Sequence, residues 1–216
     1  MRKLPVLILG ISLCGCGGAE PAKPIADPLV VEAQTHFTFK GRSIPPFFLT
    51  DFCGGPEADD FWTKGVGMRI GTVAVEGLFY DNCDGAYSGC KIAKGELIRF
   101  ELPNEGNGGP RGNGWFGYRF LGTTPSGISV VEYVGNTGGS GTVPGVMFLR
   151  FEMETIGYQS GGKKERLVMR FLGEQSWGDR VYREVKLVGN ELRLGPERTN
   201  MPMAGPLDSA RTIMLD

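Results

Sequence analysis

Three features of this 216-residue sequence predict an all-β fold, an antiparallel β-sandwich of jelly-roll-like character with glycine-rich loops. Apolar residues recur at every second position, the chain carries 35 glycines, and no segment of useful length repeats its apolar residues at three-four spacing. Period two is the strand signal because successive strand side chains point to opposite faces of a sheet. Glycines that bound such runs read as turns.

The alternating runs, in chain order, are Thr35 to Phe39, Met68 to Tyr80, Glu96 to Leu102, Trp115 to Leu121, Ile128 to Val134, Val146 to Ile156, Arg166 to Leu172, Val181 to Val188 and Glu191 to Leu194. Four of them share a pattern: Ile98-Arg99-Phe100, Tyr118-Arg119-Phe120, Leu149-Arg150-Phe151 and Met169-Arg170-Phe171. In each, the Phe falls on the face of the apolar residue two before it and the Arg on the other, as in a sheet with one buried side. These arginines are expected to cover the outer face beside Glu101, Glu152 and Glu154, with a stripe for anionic ligands as the alternative. Gly189-Asn190 signals a two-residue hairpin turn. Closure there sets Leu187 opposite Leu192, Val185 opposite Leu194 and Lys186 opposite Arg193, the last a like-charge pair that Glu184 would relieve. Prolines at 196, 202 and 206 exclude a central strand beyond Gly195, which leaves a tail with Arg211 to Leu215 as a last edge strand.

The head of the chain is of another kind. Arg2 and Lys3 precede an apolar run from Leu4 to Leu13, about ten residues where spanning a bilayer takes about twenty. A basic head, a short apolar middle and a small-residue end make a secretory signal peptide. Its last residues, Leu13-Cys14-Gly15-Cys16, resemble the lipobox of bacterial lipoproteins, in which a Leu three residues ahead and a small residue immediately ahead mark the lipidated cysteine. Cys14 departs from that pattern, standing where Ala or Ser is usual. The resemblance implies cleavage before Cys16, lipidation of its sulfur and a lipid-anchored place in the cell envelope; Gly17 rather than Asp after the cysteine implies the outer membrane. Two or three acyl chains, at about 0.8 kcal/mol per buried methylene, would hold the protein on the bilayer.

The expected organisation is then a signal peptide over 1–15, a lipidated N-terminus and flexible tether over 16–33, a β-sandwich over 34–198 and a proline-rich tail over 199–216. Cleavage removes two of 23 basic residues against 24 acidic ones, so the formal charge moves from −1 to about −3. No basic surplus is left to attract nucleic acid. The partners expected are the membrane, through the lipid, and an envelope protein or glycan.

An exported chain meets oxidising surroundings that let cysteines pair. Of Cys53, Cys83 and Cys90, the expected bridge joins Cys83 to Cys90 across a glycine-flanked loop and contributes about 2.5 kcal/mol in the chain-entropy account; a bridge from Cys53 to either is the alternative. Asp81-Asn82-Cys83-Asp84-Gly85 is similar to the start of a calcium loop, yet aligning Gly85 with the invariant glycine puts Tyr80 at the first ligand position and no acid at the twelfth. Asp81 and Asp84 therefore remain only as a looser calcium site, and Glu57, Asp59 and Asp60 share that ambiguity. One histidine, His36, and cysteines without C-x-x-C spacing do not make a zinc set, and no cofactor is expected. The formal G-x-G-x-x-G match at Gly112 to Gly117 opens an aromatic strand, whereas a dinucleotide site needs it to open a helix.

Catalytic devices are short of parts. A Ser-His-Asp or Cys-His arrangement would have to recruit His36, which the alternation places on an edge strand. A carboxylate pair for glycan hydrolysis depends on a separation that only the fold sets. Trp62, Trp115 and Trp177, with Phe116 and Tyr158, stand near loops as a platform for stacking on sugars. The function expected is a non-catalytic binding or structural role in the envelope, with a glycan-binding protein or glycan hydrolase and a subunit of an envelope assembly as alternatives. Mass spectrometry of the unreduced protein is expected to find Cys83 joined to Cys90, and free thiols at both positions would defeat that staple.

Overall fold

The structure is a computed structural model that describes residues 26–46, 48–49, 71–79, 97–101, 115–136, 141–158, 161–199 and 207–216. Its first element among the described residues is a helix that the alternation did not signal. Helix α1 (Pro28–His36) starts at Asp27, whose side chain accepts from the Leu29 N–H at 2.8 Å, with Pro28 in the first turn. Residues 28–33, expected to belong to a tether, are helical, and His36 closes the helix instead of lying on an edge strand. Nine residues are too few for a three-four repeat to stand out, but Leu29, Val30 and Ala33 do share a packed side. The helix ends at Phe37, in the left-handed region with φ 55° and its N–H bonded to the Ala33 carbonyl. Glycine is the usual residue there. Phe37 holds the position by burial, its ring lying 5.1 to 5.6 Å from those of Phe48, Tyr118, Phe120 and Phe151.

Strands β1 (Thr38–Phe39) and β2 (Arg42–Ser43) form a small hairpin. Its turn is clamped by Glu32 of α1, which accepts from the Thr38 hydroxyl and the Lys40 and Gly41 N–H groups. Next come β3 (Thr72–Ala74), β4 (Ile98–Glu101), β5 (Trp115–Thr123), β6 (Ile128–Asn136), β7 (Val143–Gly157) and β8 (Lys163–Ser176), which build one antiparallel sheet in the order β3-β8-β7-β6-β5-β4. Of the run expected from Met68 to Tyr80, Thr72–Ala74 is strand and Val75–Phe79 is a 3₁₀ turn. That turn buries Val75 and Leu78 together, three residues apart. The expected strand Val181 to Val188 divides into β9 (Val181–Tyr182) and β10 (Val185–Val188). With β11 (Glu191–Leu194), β12 (Arg198–Thr199) and β13 (Arg211–Met214), these make a β10-β11-β13 sheet and a β9-β12 pair. The hairpin register is the expected one, with Leu187 opposite Leu192 and Lys186 opposite Arg193, and the last edge strand forms as well.

The chain is thus all-β with sandwich-like layering. The large sheet is covered on both faces. On one, α1, the β1–β2 hairpin and the 3₁₀ turn bury Tyr118, Val131, Met147, Leu149, Phe151 and Met169. On the other, the β10-β11-β13 sheet, Trp177 and Val181 bury Ile128, Val130 and Val146. Val130 and Val131 are neighbours with no exposed surface, one in each core. Tyr118 donates its hydroxyl to the Ile44 carbonyl, satisfying a buried polar group where the first layer meets the sheet. Register shifts at Phe120/Gly122 and at Phe148/Leu149 bend the sheet between its two coverings. The two longest strands outrun their neighbours: β6 pairs with β7 only as far as Arg150, and β3 with β8 only over Val168 to Arg170.

One glycine marks a close approach that the fold requires. A Cβ at Gly145 would come within 2.7 Å of the Tyr133 hydroxyl and of the Gln175 carbonyl, because the Tyr133 ring lies directly across from it. Gly145→Ala is expected to lower stability by about 1–3 kcal/mol through overpacking, read as a lower urea midpoint with an unchanged slope.

Candidate functional site

An open groove of about 500 Å³ runs between β5 and β10, lined by Arg119, Phe120, Leu121 and the stretch from Glu184 to Val188. The hairpin turn and the alternation of β10 set its form. Val185 and Leu187 turn toward the large sheet, where Leu187 reaches Gly122 so closely that a Cβ there would sit 3.4 Å from it. Glu184, Lys186 and Val188 lie on the other side, and Val188 is 47% exposed. The charged lining is internally paired. Lys186 meets Glu184 at 2.6 Å, which relieves its place opposite Arg193, while Arg119 binds Glu132 across the strand pair. The Glu184 carboxyl is held below its ordinary value, first by the hydrogen bond from Lys186 and then by that ammonium's charge.

Of the arginines of the repeated strand pattern, Arg119 and Arg170 keep partly exposed side chains ion-paired to Glu132 and Glu152. Arg166 is bonded to Glu154 at 2.7 Å and Arg170 to Glu152, so these carboxylates are engaged by guanidinium groups. Arg99 lies 4.1 Å from the ring centre of Trp115.

The tryptophans expected to form a platform do not do so as a set. Trp177 is buried, 8% exposed, in the core beneath the small sheet, and Phe116 is buried in the other core. Trp115 is half-buried under Arg99, and Tyr158 is exposed at the β7–β8 turn. Burial won at Trp177 and Phe116 because the sheet is covered on both faces, so an aromatic next to a loop is still roofed. Cys16, Cys53, Cys83, Cys90, Trp62, Asp81, Asp84, Glu57, Asp59 and Asp60 lie outside the described residues. No known family, curated protein or solved structure matches this chain. Among the described residues no group of three His, Cys, Asp or Glu side chains is placed to hold a metal, and no helix is long and apolar enough to cross a membrane.

The wall of the groove rests on a buried junction. Arg183, two residues before β10, has a side chain with no exposed surface. Its guanidinium donates to the Gly195 and Ser209 carbonyls at 3.2 and 3.1 Å, to Glu197 at 2.6 Å and to Asp208 at 3.1 Å, and it stands 5.4 Å from the Trp177 ring centre. This is why the expected strand breaks at that point: the Arg side chain crosses to the tail instead of lying on a strand face. Glu197 also accepts the Asp208 N–H at 2.8 Å. That bond first, and Arg183 after it, hold the Glu197 carboxyl below its ordinary value.

A carboxyl whose value is lowered by folding contributes stability above its unfolded value, about 4.3, and loses it as pH falls through the folded value. Acid titration is therefore expected to loosen the tail around Asp208 below about pH 4, read by proteolysis, with a weaker acid dependence in Glu197→Gln. Arg183→Met should cost about 2–4 kcal/mol near neutral pH by leaving Glu197 without its buried cation, read as a lower thermal midpoint.

Proposed function

We propose that this protein is a lipid-anchored lipoprotein of the cell envelope, held by Cys16, whose β-domain binds another molecule without catalysing a reaction on it.

 The observation that carries the binding half is the groove between β5 and β10, which joins an aliphatic floor of Leu121, Val185 and Leu187 to paired charges at its rims. Such a surface suits recognition: apolar contact supplies affinity and the polar rim fixes orientation. The attachment half rests on Leu13-Cys14-Gly15-Cys16.

A carboxylate-pair hydrolase gains nothing from the same geometry. Glu184 is the one carboxylate among the described groove residues, none of the three tryptophans is among them, and Glu132, Glu152 and Glu154 are each engaged by an arginine. Hydrolysis of a glycan by paired acids needs two carboxyl groups facing one bond.

Replacing the lipid acceptor tests the attachment. Cys16→Ser is expected to move the protein from the membrane to the soluble fraction, and the wild type should incorporate labelled palmitate. Retention of the variant on the membrane, with no label in the wild type, would overturn the anchor.

A further inference from the structure

Of the four arginines in the repeated strand pattern, Arg99 lies over Trp115, Arg119 is paired with Glu132 and Arg170 with Glu152. Arg150, among the described residues, has no hydrogen bond or ion pair from its guanidinium. The four do not line up in one stripe, because Arg119 shares a row with Glu132 and Val146 whereas Arg150 shares one with Ile128, four residues along β6. Instead the register sets Arg150 directly opposite Arg170 on β8, and Arg170 opposite Thr72 on β3. Directly opposed residues share a face, with Cβ atoms about 5 Å apart. Thr72, Arg170 and Arg150 therefore form a row across three strands, closed at its far end by Ile128, which is buried in the second core. None of the three lines the groove. Like charges directly opposed are destabilising, and the one carboxylate engaged there, Glu152, offsets only one of the two. Arg170 is tied to it through Nε alone, whereas Arg119, Arg166 and Arg193 each commit both Nε and Nη2 to their carboxylates. The terminal nitrogens of Arg170, the guanidinium of Arg150 and the Thr72 hydroxyl are left as donors. The Arg170 side chain is 48% exposed, and Arg150 and Thr72 are partly exposed.

We infer that Arg150 and Arg170 form a binding site for a phosphate group, carried either by free phosphate or by a lipid whose head is a phosphate monoester. A carboxylate offers two oxygens, and a single guanidinium satisfies it, as Arg166 does Glu154. A phosphate monoester offers three strong acceptor oxygens and more than one negative charge near neutral pH. It can therefore take a bidentate pair from Arg150 and a further bond from a terminal nitrogen of Arg170, with the Thr72 hydroxyl as a third donor. Guanidinium is suited to this role because its planar fork matches two oxygens at once. Bound between the two arginines, the anion also removes the repulsion that the register imposes on them. Both arginines are open to solvent, so the attraction is screened and affinity should fall as salt rises. The site lies apart from the groove, and neither depends on the other.

The test is thermal unfolding of the full-length protein in neutral detergent, with graded inorganic phosphate at constant ionic strength, each variant being compared with itself in phosphate-free buffer. The wild-type midpoint should rise with phosphate, since a ligand that binds the folded state stabilises it. Arg150→Gln and Arg170→Gln should each weaken the apparent affinity by about tenfold or more, while Arg166→Gln, which alters an arginine outside the row, should keep it. A second series replaces free phosphate with micelles doped with phosphatidic acid or, as the control, phosphatidylcholine. A rise with phosphatidic acid alone, lost in the same two variants, supports the site and assigns it to a lipid head. A rise shared equally by all variants is the general effect of phosphate as an excluded salt and would overturn the inference. So would no rise with either phosphate source. Cys16 plays no part in this readout, so the anchor stands or falls separately.

Discussion

Val130 and Val131 are adjacent, both fully buried, and in different cores. Neighbouring strand residues point to opposite faces, so the centre of the large sheet must be covered twice. Everything else follows from supplying those two coverings. The first is assembled from the N-terminal helix, the small hairpin and the 3₁₀ turn, with Phe37 at its middle. The second comes from the last third of the chain, and it needs Arg183 to hold the tail against the small sheet. Each lid carries a buried polar tie: Tyr118 to Ile44 on one side, and Arg183 to Glu197 and Asp208 on the other.

The large sheet was legible because period two is a local signal. The β10–β11 register was legible too, since a two-residue Gly-Asn turn leaves one way to align Leu187 with Leu192. Three things were not. Helix α1 is short, and its start rests on Asp27-Pro28 rather than on a repeat. The break at Arg183 depends on partners 12 to 26 residues away. Trp177 reads as a loop aromatic until the small sheet is placed over it. Each is decided by long-range packing, which alternation does not encode.

The groove belongs to the same class. Its residues were visible one by one, with Lys186, Glu184 and Leu187 all placed by the hairpin. What no local pattern contains is that, among the described residues, β10 ends one sheet while β5 outruns β4 in the other. The two strands come together because the small sheet packs on the large one instead of continuing it. Arg183 ties the chain to the tail two residues before β10 begins.

The β7–β8 ribbon shows the opposite treatment of an open edge. Past Arg150, strand β7 has no described strand on its β6 side, yet that edge carries Glu152 and Glu154 at alternate positions, and β8 opens with Lys163, Lys164 and Glu165. A second copy adding along β7 would have to strip water from the Arg170–Glu152 and Arg166–Glu154 pairs. An edge that carries charge at alternate positions is a poor template for a second copy of the chain.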